Sequence, residues 1–174
     1  MQFQPLIATV LTLGLAVVGC HKQTATTATA APIAQPALTA WQQGDRADAV
    51  SRFLTADWTA GPLFAPDSIL SLTEAEFAGR VKPGWIPFVT TGRIKATTVQ
   101  MTKELGTMKQ LAAAVAQAGR DAAATNDVTL ARKYFTSLRR FATALDTTNA
   151  LAILRLDAQA IRKRAESELA TLPQ

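Results

Sequence analysis

Cys20 and His21 stand side by side and are the only thiol and the only imidazole in the chain. Beyond them, chemistry is left to carboxylates, hydroxyls, amides and cations. That removes Ser-His-Asp and Cys-His nucleophilic arrangements, and with them the sulfur and imidazole ligands that hold zinc. Carboxylates remain. Asp45 with Asp48, or Glu74 with Glu76, could be an acid and a base by proximity. Glu74 and Glu76 are two apart on an expected helix and point to different sides. Asp45 and Asp48 fall in a first helical turn, where acids satisfy free N–H groups. A carboxylate-dependent hydrolase would have to assemble from Asp57, Asp67 and Glu74, around two aromatic loops. No glycine-rich segment leads into a Lys-Ser/Thr pair, as a phosphate loop requires. The residues predict no enzyme, no metal and no cofactor.

The elements that carry these residues begin with an apolar run, Leu6 to Val18, too short to span a bilayer and of the length of a secretory core. It closes in Val17-Val18-Gly19-Cys20. This resembles the lipobox of bacterial lipoproteins, in which small residues precede a Cys that is acylated and becomes the first mature residue. The resemblance implies a signal peptide at 1–19, palmitate-type acylation of Cys20 and a place in the bacterial cell envelope. His21 is not the Asp that holds some lipoproteins at an inner membrane, which points to the outer one where there are two. Each buried acyl methylene contributes about 0.8 kcal/mol, so several chains make a stable anchor. The alternative is an ordinary signal cut nearby, with Cys20 left free.

Residues 20–35 are mostly Thr, Ala, Pro and Gln, with Lys22 as the one basic side chain. Such a segment buries little apolar surface and is expected to be a disordered tether.

The body, residues 36–172, is long enough for one core and has no cysteine to cross-link it. Gly44-Asp45 reads as a helix stop followed by an N-cap, with Ala49, Val50, Phe53 and Ala56 on the next helical face. Asn126-Asp127, followed by Ala131, Tyr134, Phe135 and Leu138, returns the pattern. The two segments resemble the second half of a tetratricopeptide repeat, and Gly119 falls where that repeat places a small residue in its first helix. The resemblance implies helix hairpins packed closely at small side chains.

Helices are expected over Pro36 to Gln43, Asp45 to Asp57, and from a Ser71-to-Glu74 capping box through Phe77. From about Thr91 three apolar seams follow. The first is Met101, Leu105, Met108, Ala112, Val115, Gly119 and Ala122. The second is Val128, Ala131, Phe135, Leu138, Ala142 and Leu145, and the third is Leu151, Leu154, Ala158, Ile161 and Ala165. Short turns between seams predict an all-α antiparallel bundle with tetratricopeptide-like hairpins.

Two Pro/Gly loops carry Trp58 and Phe64, and Trp85 and Phe88. They plug the core or rim a groove. Charge is uneven: three basic against six acidic residues from His21 to Gly79, then fifteen against seven from Arg80 onward. Arg139, Arg140, Arg162, Lys163 and Arg164 are expected near helix C-termini, where cations suit the dipole. The expected function is a non-catalytic, membrane-anchored lipoprotein whose helical body binds another envelope protein through the four aromatics and these five cations. The alternative is electrostatic binding of anionic lipid or a cell-wall polymer by the basic half. Dispersed charge with few aromatics interleaved does not suggest nucleic acid.

Overall fold

The computed structural model describes residues 31–81 and 87–173, with side chains except at 87–91, 93 and 94. The expected signal peptide, Cys20, His21 and Trp85 lie outside the described residues, and Phe88 is described only as helical backbone. Among the described residues the chain is all-α, six helices packed on one another without a strand.

The folded body starts before Pro36. The Ile33 and Ala34 N–H groups donate to the carbonyls of Pro62 and Leu63, both at 2.9 Å, and Ala34 is buried. These bonds tie the expected end of the tether to the first Pro/Gly loop. Helix α1, Gln35–Gln42, buries Ala37, Leu38 and Ala40. Gly44 then turns the chain at φ 88°, and Asp45 donates its N–H to the Ala40 carbonyl at 3.0 Å. The left-handed residue lets the chain double back and satisfies carbonyls that a helix end leaves free. The Asp45 carboxylate accepts from the Asp48 N–H at 3.0 Å and starts α2, Arg46–Thr55.

The same device returns at Asn126, φ 64°, with the Asp127 N–H donating to the Ala122 carbonyl at 2.8 Å. Asp127 then accepts from the Leu130 N–H at 2.9 Å, opening α5. Both turns fall where the sequence pattern puts them.

Between α2 and α3 the chain is irregular, and its large side chains go inward. Trp58 and Phe64 are buried, and a 3₁₀ turn at Ile69–Ser71 buries Ile69 and Leu70. Helix α3, Glu74–Val81, is longer than expected and its cap lies two residues later. Thr73, not Ser71, forms the capping box: its N–H and hydroxyl donate to Glu76 Oε2 at 2.8 Å, and the Glu76 N–H returns to Thr73 Oγ1 at 3.3 Å. Ser71 is held in the 3₁₀ turn, where its hydroxyl donates to the Ser68 carbonyl at 2.7 Å.

Helix α4, Pro87–Ala124, begins earlier than expected, because proline is well placed in a first helical turn. Helix α5, Val128–Leu145, packs against it, and α6, Ala152–Thr171, packs against α5. The expected seams are the buried faces. Met108, Val115, Ala131, Phe135, Leu138, Leu145, Leu154 and Ala158 are each at most 3% exposed. Leu111, Ala116 and Phe141 widen them. No helix among the described residues is long and apolar enough to cross a membrane.

Candidate functional site

The acids named for catalysis are distributed among separate structural tasks. Asp57 closes its own turn. The Thr59 hydroxyl at 2.7 Å and the Thr59 N–H at 3.1 Å hold its carboxyl below the ordinary range, with Arg140 adding a smaller attraction. Glu74 accepts from the Ala152 N–H at 2.8 Å and so caps α6 from α3. Asp45 is a cap, and Asp48 pairs with Arg52 one turn on. Asp67 shares a shallow cleft with Ser68, Gln100 and Glu104. Sequence pattern did not single out Glu104, whose Oε2 accepts from the Ser68 hydroxyl at 2.6 Å and the Ile69 N–H at 3.1 Å. Its Oε1 accepts from Gln100 at 2.7 Å within α4, so Oε2 alone holds the 3₁₀ turn against that helix. Among the described residues no three acids, cysteines or histidines gather as metal ligands.

The aromatic loop is a plug. The Trp58 ring lies 4.6 Å from Phe53 and 4.8 Å from Phe141, centre to centre, in tilted contacts. Its indole N–H donates to Ser137 Oγ at 3.0 Å, and that hydroxyl donates to the Phe53 carbonyl at 3.1 Å. A buried Trp needs a partner for its N–H, and Ser137 supplies one from α5. With Trp58 and Phe64 only 3% and 6% exposed, most of each ring is spent on the core. Burying them removes more apolar area from water than a rim position could.

The five cations are not gathered, and the helix-end account of them is corrected. Arg139 and Arg140 lie mid-way along α5, and Arg162, Lys163 and Arg164 mid-way along α6, with no basic residue in either last turn. Arg162 donates to Asp146 at 2.7 Å. Arg139 and Lys163 face solvent, while Arg140 and Arg164 line two different clefts.

Arg164 lines a trough of about 210 Å³ between α4 and α6. Both helices pack on α5 while barely touching each other. Small side chains explain the opening: Ala112, Ala113 and Ala116 line it from α4, Ala160 and Ala165 from α6, with Phe135 and Leu138 below on α5. Two ion pairs cross it like rungs. Lys109 pairs with Asp157 at 3.0 Å, and Arg120 with Glu168 at 3.2 Å. The rungs stand eleven residues apart on each helix, about 16 Å at 1.5 Å per residue. The helices are therefore parallel with a constant offset of 48 residues. That is longer than the roughly 34-residue period of tetratricopeptide repeats. The other Asp157 oxygen is buried without a hydrogen-bond partner among the described residues.

Arg140 lines a wider cleft of about 850 Å³ between the end of α2 and the outer face of α5, with Arg132, Lys133, Thr129 and Thr136. Arg132 and Lys133 went unread in the sequence. The available signal was their spacing of eight and seven from Arg140, which puts all three on one helical face.

Compared with protein-family models, curated proteins and solved structures, the chain matches none.

Proposed function

We propose that the chain is a lipid-anchored lipoprotein of the bacterial envelope whose helical body, without catalysing a reaction, docks a segment of another envelope protein in the α4–α6 trough. The trough carries the proposal. It is a concave, Ala-walled opening over Phe135 and Leu138, bounded by charged rungs, and such a shape suits a bulky apolar side chain with a polar flank. Its occupant on this reading is an apolar side chain borne on a helix or strand, with charges able to meet Lys109, Asp157, Arg164 and Glu168. The acids' separate structural duties agree with a binding role. Acylation at Cys20 would hold the body near its membrane partner.

The test is site-specific photocrosslinking in intact cells with the full chain. Ala113 and Ala160 line the trough and are exposed, so a crosslinker there leaves the core alone; Ser51 on α2 is the control. A discrete adduct from positions 113 and 160, absent from 51 and lost in Ala116→Trp with helical content intact, is expected. Equal adducts at all three positions, or none, would overturn the docking site. Recovery of Cys20→Ser in the same membrane fraction as the parent chain would overturn the anchor.

A further inference from the structure

We propose that the cleft between α2 and α5 is a binding site for a phosphate-bearing ligand, distinct from the trough and independent of it. Three cations line it, Arg132, Lys133 and Arg140, and among the described residues no carboxylate does. Two acids stand beyond it: Asp57, whose charge bears on Arg140 but whose Oδ1 is already taken up by Thr59, and Asp127, whose Oδ1 caps α5 through the Leu130 N–H. Arg132 reaches the Pro173 carbonyl at 2.7 Å, which fixes its guanidinium at one edge. Lys133 makes no ion pair among the described residues, and Arg140 has only the Asp57 attraction.

Hydroxyls complete the strip. Thr129 and Thr136 lie on the same face of α5 as the cations, and neither hydroxyl bonds another described residue. Thr129, Arg132 with Lys133, Thr136 and Arg140 thus recur every three or four residues along a single helical face. The strip runs about 16 Å at 1.5 Å per residue, with its cations in two groups about 11 Å apart.

A guanidinium fork and an ammonium arranged with hydroxyl donors suit phosphate oxygens, which take several short charge-assisted bonds at once. Two cation groups at that separation suit a ligand with more than one phosphate, or a row of phosphate headgroups. The cleft floor is firm. Trp58 and Ser137 line it, and their mutual hydrogen bond ties the loop to α5 beneath the cations. Binding would therefore not require the helices to rearrange.

The probe is inorganic tripolyphosphate, titrated calorimetrically into the full chain in phosphatidylcholine nanodiscs. Lys133→Gln with Arg140→Gln removes two exposed cations that make no structural bond, while Lys163→Gln removes an exposed cation elsewhere. The double variant is expected to bind at least tenfold more weakly and Lys163→Gln to bind as the parent does. The parent's affinity should also fall several-fold between low and physiological salt. Absence of saturable binding to the parent would overturn the site. So would an equal loss in Lys163→Gln, which would mean diffuse charge. Repeating the titration in phosphatidylglycerol discs separates the sources. Weakened apparent affinity there assigns the site to lipid headgroups, and unchanged affinity assigns it to a free phosphate chain.

Discussion

Gly119 of α4 lies against the ring of Phe135 in α5, so closely that a β-carbon at Gly119 would stand 2.8 Å from two ring carbons. The ring cannot retreat easily, because Phe135 is only 1% exposed. Gly119→Ala gains about 1 kcal/mol of helix propensity but must displace a packed aromatic, a cost of about 1–3 kcal/mol. A net loss of about 1 kcal/mol is expected in urea unfolding. Gly106 lies on the same helix, and a β-carbon there would meet nothing within 4 Å. Gly106→Ala should raise stability by about 0.5–1 kcal/mol. If both alanines stabilise equally, the close approach at Gly119 is not what spaces the two helices.

Ser137 accepts the Trp58 indole proton and donates to the Phe53 carbonyl, in a buried relay linking the loop, α2 and α5. Ser137→Ala leaves a donor and an acceptor without their partner, at a cost of about 1–3 kcal/mol. Denaturation should show that loss, while Thr136→Ala, one residue away and outside the relay, should be close to neutral.

Leu151, the residue before α6, cannot cap it with a side chain, and Glu74 does so from α3. Glu74→Ala should raise hydrogen exchange in the first turn of α6 by about three- to tenfold, the usual range for a lost cap. Glu74→Gln, which keeps an acceptor oxygen, should lose less. Unchanged exchange in both would mean that the bond at 2.8 Å contributes nothing in solution.

Glu76 has its carboxyl held below the ordinary range by the N–H of Thr73 and then by the Thr73 hydroxyl. A lowered folded value means that the capping box contributes fully above the ordinary carboxyl range. Its contribution is lost as the pH falls through the lower folded value. The protection of α3 amides, their exchange taken relative to the intrinsic rate at each pH, should fall on acidification in the parent chain but vary less with pH in Glu76→Gln. A parallel pH response in both would remove Glu76 from the account.

The helices were legible because local rules govern them. Gly44-Asp45 and Asn126-Asp127 state a stop and a cap within two residues, and the three apolar seams state which face must leave water. The plug was half legible: Trp58 and Phe64 announce apolar mass on a loop, while only Ser137, 79 residues away from Trp58, makes an inward position possible for the indole N–H. The α3 cap was displaced by two residues because Ser71 and Thr73 offer similar hydroxyls, and the 3₁₀ turn claimed the first.

Residue types and their order by themselves determined the kinds of groups available and the helical character of the body, since residue type and short-range periodicity act along the chain. Tertiary structure alone decided that the face shared by Arg132, Lys133 and Arg140 lies beside Trp58 and the end of α2 while Arg164 faces the trough, and that Glu74 serves a helix 78 residues on. The reason is physical. A helix presents every side chain at a fixed angle, but which angle meets a neighbour depends on how whole helices settle against one another, and no stretch of sequence shorter than the core contains that information.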